Sequence, residues 1–220
     1  MHWALAFVAR VRHHFLLKFL GISGFMWVFF AAYFHLLRNP SRPATLMPLT
    51  ALDDAISFQP AALAAYVSLW LYVGIPPGLM ASLRHLVAYG LWASLLCLLG
   101  LACFWAWPTA VPATALPVDV VRHPGFALLQ GVDAAGNACP SMHVATAVFS
   151  AIWIEQLLRE LHATAWPRLL NLAWLLLIVY STLATKQHVV LDALAGTLLA
   201  LVVAVPSLRW FPRASLQVAR

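Results

Sequence analysis

Charged residues are scarce in this sequence. Asp, Glu, Lys and Arg together make up 9% of the 220 residues, whereas 63% are hydrophobic. A soluble domain carries roughly a quarter charged residues, so this chain has too few charges to cover a surface exposed to water. No stretch is long and polar enough to form a separate soluble domain. We therefore expect a single membrane-embedded domain over residues 1–220, with lipid around most of it.

Lysine and cysteine are also sparse. Lysine occurs only at positions 18 and 186, and the three cysteines are an odd number that indicates no disulfide framework. The formal charge of +6 comes mainly from arginine. Basic residues at helix ends orient a membrane protein and contact anionic headgroups. We therefore predict membrane lipids as partners, and no nucleic acid.

Long apolar runs dominate what remains. A membrane-spanning helix needs about 20 mostly apolar residues, and six runs approach that length. The sequence therefore predicts an all-α bundle of six transmembrane helices. Their predicted ranges are 19–37, 61–80, 86–107, 141–158, 169–185 and 188–208. Residues 1–18 are predicted to be a cytoplasmic or interfacial lead-in and not a cleaved signal, because their basic residues follow an apolar start.

The distribution of basic residues predicts the orientation of the bundle. With both termini in the cytoplasm, nine Lys and Arg residues lie inside and four lie outside, which agrees with the positive-inside rule. The four outside residues are Arg38, Arg42, Arg122 and Lys186. Two of them, Arg122 and Lys186, flank the motifs described next, and a charge kept on the disfavoured side is a candidate for function.

The first motif lies at the start of the fourth predicted span. Ser141 follows Pro140 and precedes an apolar run, and serine is a preferred N-cap residue. The free N–H groups and the dipole of a helix N-terminus attract anions. His143 would lie in the first turn, close to a bound anion.

The second motif lies at the start of the sixth predicted span. His188 and Asp192 are four residues apart, so they share one face of a helix. The carboxylate can orient one ring nitrogen of His188 and leave the other as a nucleophile. Because the fourth and sixth spans both begin on the outer side, both histidines are predicted on that face.

At these residues the chain resembles the type 2 phosphatidic acid phosphatase family, which shares a superfamily with the vanadium haloperoxidases. The family motif Pro-Ser-Gly-His resembles 140–143, and the spacing Ser, six residues, His, three residues, Asp matches 181–192. The resemblance implies that His188 forms the phosphohistidine, that Asp192 orients it and that His143 protonates the leaving group. It further implies that Ser141 contacts phosphate and that no metal or other cofactor is needed.

The departures from the family pattern concern the cations and one glycine. Thr182 stands where the third motif has arginine, and Lys186 is the predicted substitute. The lysine of the first motif is missing, and Arg122 belongs to its remnant, Arg122-His123-Pro124. Met142 replaces the glycine. These changes resemble the branch around inositol phosphorylceramide and sphingomyelin synthases, which transfer a phospho-headgroup to a lipid alcohol.

The sequence therefore predicts a metal-independent lipid phosphatase. Its catalytic half is 108–208 and its substrate is phosphatidic acid, phosphatidylglycerol phosphate or a polyprenyl diphosphate. Arg122, Lys186 and Ser141 are the predicted phosphate-binding residues. The expected location is a bacterial inner membrane with the site on the periplasmic face. Two alternatives remain: a lipid phosphotransferase with an alcohol acceptor, and a lipid-phosphate binding protein without catalysis.

Three further residues receive structural interpretations. Asp53 is predicted to lie in a solvated loop or at a helix start, and Cys97 to pack in the core. Gly196 is predicted to permit close packing of the last helix.

Overall fold

The structure is mostly helical. It is a computed structural model and describes residues 2–112 and 136–211. The helices in these ranges are α1 (His2–Arg12), α2 (Phe15–Arg38), α3 (Ala51–Ala55), α4 (Leu63–Val67), α5 (Leu69–Tyr72), α6 (Ile75–Gly78), α7 (Leu83–Ala106), α8 (Met142–Glu160), α9 (Ala165–Ala184) and α10 (Val190–Trp210). Strands β1 (Thr45–Leu46) and β2 (Thr109–Ala110) form a small parallel sheet, which the all-α prediction did not include.

Five helical segments of the described residues are long and apolar enough to cross a membrane. They are α2, the segment Pro60–Gly78, α7, α9 and α10. Each overlaps one of the predicted spans, and the helices begin or end within a few residues of the predicted limits. The prediction of an apolar, helical membrane protein is therefore confirmed, whereas six spans and cytoplasmic termini stay predictions.

Helix α8 corresponds to the remaining predicted span, but protein surrounds it. Twelve of its 19 residues are buried, and it contacts α5, α6, α7, α9 and α10. Polar side chains are tolerated at membrane depth where protein covers them. The enclosure of α8 explains why Thr146 and Ser150 can interrupt its apolar sequence.

The second predicted span is broken into short pieces. A 3₁₀ turn at Pro60–Ala62 leads into α4, and interruptions near Ser68 and Gly74 separate α4, α5 and α6. The prolines at 76 and 77 occupy the first turn of α6. Proline is tolerated there because the first N–H groups of a helix have no partner within the helix.

Charged residues near the N-terminus hold one end of the bundle together. The Lys18 ammonium donates to the carbonyl oxygens of Arg10 (2.7 Å) and Gly78 (2.8 Å), which ties α2 to α1 and α6. Arg10 also pairs with Glu160 at the last residue of α8 (3.6 Å). His143 lies in the first turn of α8, so the histidine motifs occupy the opposite end.

Candidate active site

The two motifs are joined through the backbone. The Ser141 N–H donates to the Asp192 carbonyl oxygen (3.0 Å), which holds the start of α8 against the start of α10. Gly196 makes this approach possible, because a Cβ there would collide with the Ser141 carbonyl oxygen. The prediction that Gly196 permits close packing is confirmed.

Ser141 is the N-cap of α8, as predicted. Its hydroxyl oxygen accepts from the Val144 N–H (3.2 Å), and the residue is fully buried. A hydroxyl that accepts one hydrogen bond still has its own proton to donate. Met142, which stands at the glycine position of the family motif, packs its sulfur against Gly100 of α7. A side chain at position 100 would exclude the methionine.

His143 lies against an aromatic ring from α4. Its imidazole stacks on Tyr66 with ring centroids 4.2 Å apart and an interplanar angle of 24°. The Tyr66 hydroxyl is 3.3 Å from His143 Nδ1. Tyr66 is buried, His143 is half-buried, and both rings line the cavity described below.

His188 and Asp192 face each other at the start of α10. His188 Nδ1 is 3.5 Å from Asp192 Oδ2, and both side chains are buried. Oδ2 also accepts from the Val189 N–H (3.0 Å), so it caps the helix. Within the described part of the chain, His188 Nδ1 and Asp192 Oδ1 have no hydrogen-bond partner. Catalytic hydrogen bonds are often long without substrate, and the 3.5 Å between Nδ1 and Oδ2 is consistent with such a bond.

The two histidines lie beside each other at one end of the bundle. Their ring centroids are 5.9 Å apart, with 53° between the ring planes. A nucleophile needs to be about 3–3.5 Å from phosphorus, and a proton donor about 2.6–3.2 Å from the leaving oxygen. The two imidazoles are therefore near enough for both to contact one phosphoryl group, one at phosphorus and the other at the leaving oxygen.

An apolar cavity of about 480 Å³ leads away from the histidines. Its walls come from α2, α4–α8 and the residues around Asn137 and His188. It extends along α2 as far as Leu17, near the end of the bundle where Lys18 lies. Asn137 is fixed at the histidine end by donating to the Tyr33 carbonyl oxygen (3.1 Å). Of the lysines and arginines in the described ranges, none lines the cavity.

Lys186 lies away from this space. Its backbone has a φ of 56°, and its ammonium donates to the carbonyl oxygens of Asp53 (2.7 Å) and Ile56 (2.5 Å). Thr182 is buried and donates to the Val179 carbonyl oxygen (2.8 Å). Neither residue points a charge at the histidines. Arg122, the remaining predicted phosphate ligand, lies outside the described residues.

Two further residues lie near the site although the sequence did not predict them there. Tyr66 sits in an apolar run, where nothing in the spacing marks its hydroxyl. Asp53 accepts from the Val190 N–H (2.8 Å) and thus caps α10, in addition to accepting from Thr50 in its own turn (2.8 Å). The helix start predicted at Asp53 is confirmed by α3 and its Thr50–Asp53 capping box, whereas the burial of Asp53 and its contact with α10 were not predicted.

Cys139 is a poor candidate nucleophile although it precedes the motif. Burial, with added effects of Asp192 and Cys103, raises the pKa of its thiol to about 11. The reactive form of cysteine is the thiolate. At neutral pH this side chain is therefore a thiol. Within the described ranges, no group of three or more His, Cys, Asp and Glu side chains is arranged to hold a metal ion.

Residues 113–216 match the family model of the PAP2 superfamily. This match covers both histidine motifs and just under half of the 220-residue chain. It supports the family resemblance, and it suggests a phosphoric ester hydrolase that acts on lipid phosphates. Tyr66 and Asp53 lie before the matched residues. No curated protein and no solved structure matches the chain.

Proposed function

We propose that this protein is a lipid phosphatase that works through a phosphohistidine. The observation that carries the proposal is the position of the two histidines at one end of the apolar cavity. The ring spacing of 5.9 Å allows both histidines to contact one phosphoryl group, and about 480 Å³ of apolar space adjoins them. A substrate with a phosphate head and a long hydrocarbon tail satisfies both parts of the site.

In the first step, His188 attacks phosphorus. Its Nδ1 faces Asp192, which leaves Nε2 to form the N–P bond. As that bond forms, the bond between phosphorus and the lipid oxygen breaks. His143 gives a proton to the departing oxygen, and the lipid leaves as an alcohol or, from a diphosphate, as a monophosphate.

In the second step, water attacks the phosphohistidine. His143, now neutral, takes a proton from the water as the new P–O bond forms. The N–P bond breaks, inorganic phosphate leaves and His188 is restored. Asp192 orients the neutral imidazole of His188 before transfer and stabilises the positive charge that the ring carries as a phosphohistidine, as a carboxylate does for a catalytic imidazole.

The phosphate charge needs a cation, because burying an unpaired anion is very costly. Since Lys186 bonds to loop carbonyls and Thr182 is neutral, we assign this role to Arg122, the only Lys or Arg in 113–135. The described residues that flank this segment come together beside the motif, since Ala110 bridges Gly136. Ser141 supplies a hydroxyl donor. Lys186 would bind phosphate only after leaving its two carbonyls.

We place the site at the outer face of a bacterial inner membrane, because the predicted topology puts nine of the 13 Lys and Arg residues inside. The ion pair between Arg10 and Glu160 puts the N-terminal helix at the end of the bundle opposite the histidines. If the basic N-terminus is cytoplasmic, the histidines face the periplasm.

The test is phosphate release from a panel of lipid phosphates and diphosphates in detergent, without added metal. We expect release by the wild type and its loss in His188→Ala. His35→Ala is the matched control, because His35 is exposed and does not line the cavity. Transfer of label to an added alcohol without free phosphate would instead indicate the phosphotransferase. Binding without turnover would indicate a carrier.

A further inference from the structure

We propose that Tyr66 is the positioning residue of His143. Tyr66 holds the Nδ1 proton of that imidazole and thereby keeps Nε2 as the atom that gives and takes the catalytic proton. This inference rests on the proposed function, in which His143 is the proton donor. Tyr66 lies in α4, outside the residues that match the family model.

His143 has no carboxylate one turn later on its own helix. His188 has Asp192 four residues later, but the residue four after His143 is Ala147. Thr146, three residues after His143, donates instead to the Met142 carbonyl oxygen (2.7 Å). The Tyr66 hydroxyl comes from another element, α4, and stands 3.3 Å from His143 Nδ1, within reach of a proton on that nitrogen.

The stacked arrangement adds a second constraint on the imidazole. With centroids 4.2 Å apart and 24° between the planes, the phenol ring covers one face of His143. An aromatic face attracts a cation, and this one is buried. Tyr66 thus restrains rotation of the imidazole and favours its charged form. Among the described residues, the other titratable groups that line the cavity or flank the histidines are Tyr33, Tyr89, Cys97, Cys139, His188 and Asp192.

The proton accounting follows from these contacts. Before transfer, the imidazolium donates Nδ1–H to the Tyr66 oxygen and holds a second proton on Nε2. When the phosphorus–oxygen bond breaks, the Nε2 proton moves to the leaving oxygen and the Nδ1 proton stays. Water returns a proton to Nε2 in the second step. Tyr66 keeps its own proton throughout.

Leaving-group dependence tests this role. Tyr66→Phe keeps the stacked ring and removes only the hydroxyl. We expect it to lower kcat/KM, which reports only the steps up to phosphoryl transfer, on a lipid phosphate roughly tenfold to a hundredfold, because general acid catalysis contributes at least that much. On p-nitrophenyl phosphate, whose leaving group needs no proton, the loss should stay within about threefold. Equal losses on both substrates, or no loss on either, would overturn the proposal.

The pH profile gives a second readout. The imidazolium loses an acceptor for its Nδ1–H in Tyr66→Phe, so the neutral form becomes relatively more stable. The alkaline limb of kcat/KM should move to lower pH by roughly one unit. Tyr72→Phe is the matched control, since Tyr72 is equally buried but its hydroxyl donates to Asn171 (2.6 Å). It should leave the profile unchanged.

A measurement without turnover separates this proposal from the proposed function. Nitrogen-15 NMR of histidine-labelled protein reports which ring nitrogen carries the proton, with His143→Ala identifying the signal. We expect neutral His143 to carry it on Nδ1 in the wild type, and a changed tautomer population in Tyr66→Phe. Identical shifts in both proteins would overturn the role of Tyr66 even if lipid phosphate is hydrolysed. The expected change would support it even if no lipid tested is a substrate.

Discussion

At the scale of single residues, the site depends on which hydrogen-bonding atoms of each side chain already have a partner. Asp192 Oδ2 already caps α10 through the Val189 N–H, so the carboxylate cannot rotate freely away from His188. Lys186 shows the reverse. It is two residues from His188 in sequence, yet its positive φ and its two carbonyl contacts hold its charge on the 53–56 loop. Of these two residues close to His188 in sequence, only Asp192 therefore lies beside its imidazole.

Replacing Asp192 by Asn tests the orienting carboxylate. The amide oxygen can still accept from the Val189 N–H, so α10 keeps its cap. We expect phosphate release to fall by about a hundredfold or more, because the charge that stabilises the imidazolium of His188 is lost. Thermal unfolding in detergent should change little. Asp54→Asn, at an exposed carboxylate, is the control. A full rate in Asp192→Asn would contradict the assignment.

At the scale of elements, the approach of α10 to α8 determines whether the two motifs meet. The contact is between the backbone of Ser141 and the surface of α10 at Asp192 and Gly196. No side chain can be inserted there without separating the helices. A change that moved α10 would therefore destabilise the protein and would also displace His188, which lies just before this helix.

Gly196→Ala therefore should destabilise the protein by about 1–3 kcal/mol, the usual range for overpacking a close contact. Gly24→Ala is the matched control, because a Cβ there meets nothing within 4 Å. Alanine is the better helix former by roughly 1 kcal/mol, so the control should be neutral or more stable. Chemical unfolding in detergent measures both. Equal stability of the two variants would show that the helices can move apart without cost.

The helices and the central dyad could be predicted from the sequence, but their cross-contacts could not. Apolar runs of the right length indicated α2, α7, α9 and α10, and the four-residue spacing placed Asp192 beside His188. The Tyr66 stack and the contact of Asp53 with α10 join residues far apart in the chain. No local pattern encodes which helix faces which. The small sheet was not predicted either, because each strand has only two residues and no local pattern marks so short a strand.

At the scale of the whole molecule, α2 forms one wall of the cavity but packs loosely. Only 6% of its most apolar stretch is buried, compared with 39% for α10. Gly21 lines the cavity, and a Cβ there meets nothing within 4 Å. The space beside α2 is therefore available for the hydrocarbon part of a substrate.

Filling this space should discriminate between substrates by tail length. Gly21→Leu should lower kcat/KM for a long-chain lipid phosphate about tenfold, through displaced apolar contact. A short-chain, water-soluble analogue should be unaffected. Gly24→Leu places the same side chain outside the cavity lining and serves as the control. Equal effects of Gly21→Leu on both substrates would mean that the tail lies elsewhere.

The contacts of Asp53 and Tyr66 have a consequence for chimaeras. Both residues precede position 113, yet one caps the helix that carries Asp192 and the other covers His143. A graft of 113–216 onto a foreign bundle would keep the recognisable motifs and lose the supports that hold them in register. Exchanging residues of α2 that do not line the cavity would leave the contacts of Asp53 and Tyr66 intact. The unit that can be inherited or transplanted as a working site is therefore larger than the segment that sequence comparison detects.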